Sequence, residues 1–222
     1  MNQIDNGTIN YRDELVRKLI HLCSLSIPVI YYFIPTSLSI TILGILTFFA
    51  ITLDLSRYYL PGVAKFFYKY FGFLLRKHEV DNKKKNLNGA TYVLISALLC
   101  AIIFPKVLFV TAFTILIISD TAAALIGRKF GKHKLLAKSL EGTLTFFLSA
   151  SIVVLFTPKL IGNSTEFLIG FTAAAIGAIV ENISFGWADD NLSIPLAIGF
   201  SMWAMYILLM PGLSLILPNV PR

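Results

Sequence analysis

The sequence predicts an all-α fold, a polytopic transmembrane helical bundle of about seven spans with one additional amphipathic helix at the membrane interface. Of the 222 residues, 56% are hydrophobic and 14% are charged, whereas a soluble domain carries roughly 25% charged residues. The hydrophobic residues also form long runs, and a helix needs about 20 such residues to cross a bilayer. Lysine and arginine are concentrated in the segments between alternate runs. Together these observations predict a single integral membrane domain, residues 1–222.

Seven hydrophobic segments are predicted to be transmembrane helices. Prolines, which break helices, lie at or just beyond the ends of four of them, at Pro35, Pro105, Pro158 and Pro211. The third segment is the shortest, about 22 Å long at the helical rise of 1.5 Å per residue. The predicted spans are residues 15–34, 37–58, 90–104, 107–126, 140–156, 167–185 and 192–210.

Three polar segments are predicted to lie outside the bilayer on the same side. Residues 1–13 form a polar N-terminal segment. Residues 61–77 combine aromatic residues with basic residues that share the opposite helical face. This pattern is too charged to span the membrane and predicts an amphipathic helix that lies in the interface. Residues 78–89 are predicted to be a solvated loop.

The charge distribution predicts how the bundle is oriented in the membrane. With seven spans, all of the 19 lysine and arginine residues fall on one side except Lys106, Lys159 and Arg222. Removing the short third span from the prediction would scatter the basic residues over both sides. Because basic segments are retained in the cytoplasm, we expect the N-terminus and the charged side to be cytoplasmic. The C-terminus is then expected on the opposite side.

Several acidic residues fall within a span or at its edge. An ionised carboxylate near the centre of a membrane helix costs about 2.5–3.5 kcal/mol even on a lenient scale. For any one of these residues, snorkelling or a salt bridge near a helix end explains the position equally well. For the set, a functional polar cavity is the better explanation. The residues are Glu14, Asp54, Asp120, Glu141 and Glu181.

A polar stripe runs along the first predicted span. Glu14, Arg17, Lys18 and His21 follow the spacing i, i+3, i+4, i+7 and therefore share one helical face. A basic membrane anchor with one internal ion pair would explain the first three residues. It does not explain His21, which lies nearly two turns into the span. A stripe of hydrogen-bond donors that enters the bundle indicates a site for an anionic ligand, and His21 could also move a proton.

A basic segment bracketed by glycines follows the fourth predicted span. Asp120 lies about two turns inside that span, and Gly127, Arg128, Gly131 and Lys132 follow it. Exposed backbone N–H groups and cations together suit polyphosphate binding. The segment is not a P-loop, because GxxxxGK[ST] is absent and no strand is predicted before it.

The start of the fifth predicted span offers further polar groups. Lys138 and Ser139 lead into this helix, whose first N–H groups and dipole favour an anion. Glu141 follows in the first helical turn. Its carboxylate could be part of a site, or it could simply complement the helix dipole.

An acidic cluster lies around the connection between the sixth and seventh predicted spans. It contains Glu181, Asp189, Asp190 and Asn191. Asp190 or Asn191 could serve only as a helix cap. Neighbouring carboxylates that face basic loops would also hold hydrated Mg²⁺ together with substrate phosphates. The spacing alone leaves both interpretations open.

Taken in order, these segments resemble the polyprenol kinase family of membrane enzymes, which includes dolichol kinase, phytol kinase and the CTP-dependent diacylglycerol kinase. Each motif is short, but five in the family's order make the resemblance fairly specific, and it covers most of the chain from residue 14 to about residue 200. The matching pieces are residues 14–21, residues 88–92, residues 120–123 with Gly127, Arg128 and Gly131, residues 138–142, and Glu181 followed by Asp190, Asn191 and Pro195.

A second, more distant resemblance is to phosphatidate cytidylyltransferase, whose CTP-using region is similar to residues 120–142. That enzyme typically has a Ser-Pro-Lys-Lys-Thr-Trp-Glu-Gly-like stretch where this chain has Leu-Ala-Lys-Ser-Leu-Glu-Gly at residues 136–142. Its C-terminal Lys-Asp and His-Gly-Gly signature is also missing. These differences favour the kinase, and both resemblances imply CTP as the nucleotide.

The resemblance implies transfer of the γ-phosphate of Mg-CTP to the hydroxyl of a membrane lipid alcohol, such as a polyprenol, a phytol-like isoprenol or diacylglycerol. The alternatives are synthesis of CDP-diacylglycerol and, from another class, proton-coupled transport, although the outer halves of the spans are almost purely apolar. We expect CTP, a lipid alcohol and the bilayer as partners, and no nucleic acid. The implied site residues are Asp120, Lys138 and Glu141 for catalysis, with Asp120 as proton acceptor; Arg17, Lys18, His21, Gly127, Arg128, Gly131, Lys132, Ser139 and Asn191 for the nucleotide and its phosphates; and Asp120, Glu181, Asp189 and Asp190 for Mg²⁺.

Overall fold

The computed structural model describes residues 10–72, 75, 86–184 and 189–222. Within them the chain is almost entirely helical, with a single two-stranded hairpin, which confirms the predicted all-α bundle. Most of the predicted segments 1–13 and 78–89 lie outside the described residues, as does the end of the sixth predicted span. The elements are α1 (Tyr11–Cys23), α2 (Ser26–Phe33), α3 (Thr36–Tyr59), α4 (Pro61–Phe71), α5 (Gly89–Ile103), α6 (Lys106–Phe130), β1 (Lys134–Leu135), β2 (Lys138–Ser139), α7 (Leu140–Phe156), α8 (Ser164–Ile183) and α9 (Asp190–Leu209).

Five stretches of the described chain are long and apolar enough to cross a membrane, namely α1 with α2, α3, α6, α8 and α9. Helices α5 and α7 are also apolar but have 15 and 17 residues. At 1.5 Å per residue they are about 22 and 26 Å long, a little less than the hydrocarbon thickness. Together these helices give the seven membrane segments that the sequence predicts.

The helices alternate in direction between the two ends of the bundle. At one end, Lys18 of α1 contacts Asp120 of α6. At the other end, the amine of Lys106 at the start of α6 donates to the carbonyl of Ile34, which follows α2 (2.8 Å). We call the end with Lys18 and Asp120 the charged face and the end with Lys106 and Glu166 the opposite face.

Helix α6 lies at the centre of the bundle, and α3 lies at its periphery. The side chains of Phe109, Phe113 and Ile117 on α6 are fully buried. By contrast, Phe48 and Phe49 on α3 are about two-thirds exposed, at 67% and 64%. In a membrane, helices associate through close packing rather than through exclusion of water, so the exposed apolar side chains of α3 are those of a helix that faces lipid.

The first predicted span, residues 15–34, is interrupted rather than continuous. Helix α1 ends at Cys23, and α2 begins at Ser26. Pro28 is the physical reason, because proline lacks an N–H and its ring collides with the carbonyl four residues earlier, here that of Ser24. The chain tightens at this point, with the N–H groups of Ser24 and Leu25 donating to carbonyls three residues back.

The fourth predicted span ends four residues later than expected, since α6 continues to Phe130. The expectation of exposed backbone N–H groups from Gly127 to Phe130 is therefore wrong, because a helix uses these groups for its own i→i−4 bonds. The N–H of Gly131 also donates to the carbonyl of Gly127 (3.0 Å). A short hairpin follows, in which Lys134 pairs with Ser139 and Leu135 with Lys138. No strand was predicted in this segment.

Helix α4 occupies the first part of the predicted interfacial segment, residues 61–77. Its described part ends at Phe71, and residues 73–74 and 76–77 lie outside the described residues. Phe67 is buried against the bundle, whereas Phe66 and Tyr70 are exposed and in ring contact with each other. One side of this helix therefore packs on protein, while the exposed aromatic rings remain available to the bilayer.

Candidate active site

Helices α1 and α6 bring a cluster of buried charges together at the charged face. Lys18 and Asp120 form an ion pair, and the His21 ring nitrogen Nε2 lies 3.8 Å from the same Asp120 oxygen. Lys18 and Asp120 are 3% and 4% exposed. Opposite charges in direct contact are needed here, because an uncompensated buried charge would be strongly destabilising. The predicted α1 stripe therefore does face the predicted acidic residue of α6.

Glu14 joins two basic side chains from different helices. Its carboxylate lies 2.5 Å from Arg17 Nη2, one turn along α1, and 3.6 Å from Arg128 Nη2 at the end of α6. The internal ion pair of the simpler interpretation is therefore present. It also links Arg17 to Arg128, so that two guanidinium groups lie close together beside Lys18.

A second cluster is centred on Lys138, in strand β2. Its amine donates to Glu181 Oε1 at the end of α8 (2.6 Å) and to Asp190 Oδ2 at the start of α9 (3.0 Å). Burial alone would lower the pKa of Lys138, but the carboxylates of Asp190, Glu181 and Asp120 outweigh burial and hold that pKa above its ordinary value. Lys138 is therefore a fixed cation at neutral pH.

Asn182 positions the backbone that carries Lys138. Its buried side-chain oxygen accepts hydrogen bonds from the N–H groups of Ala137 (3.0 Å) and Lys138 (3.2 Å), and its amide nitrogen donates to Thr143 Oγ1 (2.5 Å). The preceding residue, Leu136, has a positive φ of 51°. A non-glycine residue rarely adopts this conformation, and the bonds from Asn182 stabilise the turn that requires it.

Gly127, Gly131 and Ser139 form the contact between the end of α6 and the start of α7. A Cβ atom at Gly127 would lie 3.1 Å from Ser139 Oγ and 3.2 Å from Gly142 Cα, so glycine permits this approach without displacing either neighbour. Ser139 caps α7 by accepting the N–H of Gly142 (3.2 Å), and Leu140 donates its N–H to the carbonyl of His133 (2.8 Å). These groups have packing and capping contacts, and their predicted role in phosphate binding stays a prediction.

The remaining predicted residues lie at the rim of these clusters. The carboxylate of Glu141 accepts from the His133 backbone N–H (3.2 Å) and contacts His133 Nδ1 (2.8 Å). Lys132 is exposed beside it. Asp189 caps α9, accepting from the backbone N–H (2.9 Å) and the side-chain amide (2.8 Å) of Asn191. The structure thus brings Glu141 to His133 rather than to Asp120.

Glu181 and Asp190 are the carboxylates whose arrangement fits a divalent cation. They share the amine of Lys138, and Glu181 Oε2 is buried with no hydrogen-bond partner among the described residues. Mg²⁺ commonly takes one or two protein carboxylates and completes its shell with water and substrate phosphates. Within residues 10–72, 75, 86–184 and 189–222, three or more metal-binding side chains do not come together. These two carboxylates would leave the greater part of the coordination shell of a cation to water and to other oxygen ligands.

A cavity of about 310 Å³ adjoins both clusters and lies between α1, α3, α4 and α5. One end is polar, with Arg17, Lys18, His21, Asp120 and Asp190 among its lining residues, and the rest of the lining is mainly apolar, although it also includes Asp54 and Asn88. Asp190 therefore both contacts Lys138 and lines the cavity. A molecule in this cavity can have a polar group beside the ion pairs and a hydrocarbon chain away from them.

Three residues of this region were not among the predicted site residues. Glu14 had been noted as an acidic residue of the first span and as part of its polar stripe, and Asp54 only as an acidic residue within a span or at its edge. Asn182 follows Glu181 in the sequence and had no predicted role. The intramembrane position of Glu14 and Asp54 was the available signal. For Asn182 the sequence contains no such signal, because an asparagine near a helix end is common and its three partners come from the hairpin and from α7.

Comparison with known proteins gives three relatives. The chain is 33% identical over 191 residues to the uncharacterized protein RP860 of Rickettsia prowazekii, a match that covers 86% of the chain and 93% of the relative. It is 36% identical over 91 residues to the phytol kinase of a Synechocystis species, covering 38% of the chain and 39% of the kinase. It is 28% identical over 159 residues to CTP-dependent diacylglycerol kinase 1 of Schizosaccharomyces pombe, covering 66% of the chain and 71% of the kinase. No protein-family model matches the chain, and no solved structure matches it significantly.

Proposed function

The chain belongs to the same family as the uncharacterized protein RP860 of Rickettsia prowazekii, and we propose that it is a membrane lipid kinase that transfers the γ-phosphate of CTP to the hydroxyl of a lipid alcohol. The observation that carries the proposal is the cavity, whose polar end adjoins the ion pairs of the charged face and whose remaining lining is mainly apolar. A lipid alcohol has the same two-part character. The partial similarity to two lipid kinases supports the same reaction class.

The acceptor hydroxyl belongs at the polar end of the cavity, beside Asp120. In the reaction, the hydroxyl oxygen forms a bond to the γ-phosphorus, the bond from that phosphorus to the β-phosphate oxygen breaks, and CDP leaves. Asp120 accepts the hydroxyl proton, and Lys18 holds the Asp120 carboxylate in place through their ion pair. His21 Nε2 lies 3.8 Å from Asp120 Oδ2, so the ring is placed to donate a hydrogen bond to a phosphate oxygen.

In this proposal, the triphosphate binds between the arginine pair Arg17 and Arg128 on one side and Lys138 on the other. Arg17 and Arg128 lie together on Glu14, and guanidinium groups bind phosphate oxygens bidentately. Lys138 provides the cation on the other side. Phosphoryl transfer depends mainly on positioning and charge neutralisation. Mg²⁺, when bound by Glu181 and Asp190 with the phosphates, supplies further neutralisation of charge. Rearrangement of the Lys138 amine from these carboxylates to the nucleotide would free both for the metal.

The direct test is phosphate transfer by the purified protein in lipid nanodiscs. CTP and ATP, each labelled at the γ-phosphate, are incubated with phytol, a polyprenol or diacylglycerol in the presence of Mg²⁺. We expect label on at least one alcohol with CTP as donor, and loss of transfer when EDTA removes the metal. Label from ATP alone would contradict the choice of CTP, and no transfer to any alcohol would contradict the kinase.

The site assignment is tested with two variants and a matched control. Asp120→Asn removes the proton acceptor and should lower kcat by about 10²–10⁴-fold. Lys138→Ala removes a phosphate-binding cation and should lower kcat/KM by about 10²–10³-fold. Lys134→Ala changes an exposed lysine of the same hairpin and should stay within about twofold of the wild type, as surface charges contribute little. Full activity in both site variants would exclude this assignment.

Two alternative functions give different outcomes in the same assay. A cytidylyltransferase would attach CMP to phosphatidate, so label from the α-phosphate of CTP would appear in the lipid and pyrophosphate would be released. A proton-coupled transporter would label no lipid with either nucleotide. Instead, its substrate uptake into proteoliposomes would depend on a proton gradient.

A further inference from the structure

The lining of the cavity changes in character from one end to the other. Its polar end is formed by the charged groups of α1, α6 and α9 described above. Its other walls are formed by side chains that are mainly apolar and come from α1, α3, α4 and α5. Those used below are Ile20 on α1, Ala50 and Leu53 on α3, and Phe67 and Phe71 on α4.

The apolar part of the cavity lies at the lipid-facing surface of the bundle. Ile20 on α1 and Leu53 on α3 both line the cavity, yet they are 51% and 50% exposed. Both residues belong to stretches that are long and apolar enough to cross the membrane. On the side of α1 and α3, the cavity is therefore framed by half-exposed apolar side chains of two membrane helices.

Helix α4 forms a further wall of the cavity. Phe67 and Phe71 line the cavity, and the Arg57 guanidinium of α3 lies over the Phe67 ring, 5.0 Å from its centroid. Such a contact fixes both side chains. The amphipathic α4 therefore packs against α3, and its side chains Phe67 and Phe71 line the cavity.

We propose that the cavity is the binding site of a long-chain alcohol, which enters from the bilayer between α1 and α3. Its hydroxyl lies at the Lys18–Asp120 ion pair, and its chain lies against Phe67 and Phe71 of α4 before it continues into the lipid. The identification of the occupant as the phosphate acceptor rests on the proposed function. The binding itself requires no nucleotide and can be measured without kinase activity.

The test is photo-crosslinking in nanodiscs without nucleotide. The probe is a long-chain alcohol with a diazirine group a few carbons from the hydroxyl, and adducts are mapped by peptide mass spectrometry. We expect adducts in the peptides that contain Ile20, Leu53 and Phe67, and we expect excess unlabelled alcohol to reduce them at least about fivefold, as for a saturable site. Adducts that lie mainly on α7 and α8, or that excess alcohol does not reduce, would overturn the proposal.

Two tryptophan variants of α3 sharpen this test. Ala50→Trp places a large side chain in the cavity and should remove the competed adducts. Ile45→Trp adds the same side chain at an exposed position of α3 that is outside the cavity lining, and should leave the adducts unchanged. Equal labelling of both variants would contradict the site. The adduct map of the wild type decides the question if Ala50→Trp does not fold.

The binding proposal and the kinase proposal can fail separately. Competed adducts at the cavity without any phosphate transfer would leave the binding site standing and remove the kinase. Phosphate transfer together with adducts located elsewhere would leave the kinase standing and remove the site between α1 and α3.

Discussion

Lys138 is the residue on which the charge balance of the site depends. Its amine is shared by Glu181 and Asp190, which come from two different helices. Burial lowers the pKa of Lys138, while Asp190, Glu181 and Asp120 raise it further than burial lowers it. Because the folded-state pKa lies above the ordinary lysine value of about 10.4, the ion pairs contribute stability below that pH. Their contribution is lost only as the pH rises through the raised folded-state pKa.

We therefore predict that Lys138 does not cause any alkaline loss of activity between pH 7 and pH 10. Lys138→Arg provides the comparison, because arginine remains protonated throughout this range. The absolute rate of this variant should fall, since the arginine fork differs in shape from an ammonium group. The alkaline limb of kcat/KM, normalised to its maximum, should coincide with that of the wild type. An alkaline limb that disappears in Lys138→Arg would show that Lys138 titrates in this range.

The residue types of the site were more predictable than the contacts between them. Helical spacing placed Arg17, Lys18 and His21 on one face, and the cost of an intramembrane charge drew attention to Asp120, but neither observation predicted that Lys18 pairs with Asp120. Spacing could not show that Glu141 contacts His133, since that contact depends on the course of the hairpin between α6 and α7. Side-chain partners across a turn depend on backbone dihedrals such as the positive φ of Leu136, for which leucine gives no sequence signal.

At the scale of secondary-structure elements, the attachment of α4 to α3 shapes the cavity. Buried Arg57 lies 2.9 Å from Asp54 Oδ1 and donates to the carbonyl of Asn86 (2.9 Å), while its guanidinium covers Phe67. Asp54 also accepts the backbone N–H of Asn88 (2.6 Å), the N-cap residue of α5. One ion pair at the end of α3 therefore holds both α4 and the start of α5.

Arg57→Lys tests this attachment. A lysine keeps the charge but cannot contact a carboxylate, a carbonyl and an aromatic face together. We expect a loss of about 1–3 kcal/mol of stability, the cost of leaving buried partners unsatisfied, measured as a lower melting temperature in detergent. The KM for the lipid alcohol should rise while the KM for the nucleotide changes little, because α4 lines the cavity that is proposed to bind the alcohol.

The matched control for this variant is Arg12→Lys, at an exposed position in the first turn of α1. It should leave the melting temperature and both KM values unchanged. An equal rise of the two KM values in Arg57→Lys would mean that the pair supports the fold in general. The pair of Arg57 and Asp54 would then have no specific effect on the cavity.

The elements themselves were predicted to different degrees. Helix α7 has the predicted bounds, 140–156, because Ser139 caps its start and an extended Thr157 before Pro158 follows its end. The break between α1 and α2 was missed because a proline inside an apolar run was treated as part of the span. The extension of α6 was missed because basic residues after Gly127 suggested a loop, although a helix can end with basic residues that complement its dipole.

At the scale of the whole molecule, the two ends of the bundle differ in chemistry. The charged face contains ion pairs from α1, α6, α8 and α9 that border a cavity. At the opposite face, buried Glu166 accepts the N–H groups of Leu160 (2.9 Å), Ile161 (2.8 Å) and Gly162 (2.5 Å) and the hydroxyl of Tyr206 (2.8 Å). These bonds close the loop between α7 and α8. The carboxylate of Glu166 therefore closes a loop, whereas Asp120 and Asp190 of the charged face pair with lysines beside the cavity.

This difference gives the predicted orientation a functional consequence. CTP is present in the cytoplasm, so a CTP-dependent lipid kinase requires its charged face on that side, which is also the side that the basic residues predict. Two single-cysteine variants test the orientation in a Cys23→Ser background, since Cys100 is buried. Lys132→Cys lies at the charged face, and Ile161→Cys lies exposed in the loop at the opposite face. In intact bacterial spheroplasts, a membrane-impermeant maleimide should label Ile161→Cys and should label Lys132→Cys only after permeabilisation. The reverse pattern would place the charged face outside the cell, away from CTP, and would contradict the orientation and the kinase together.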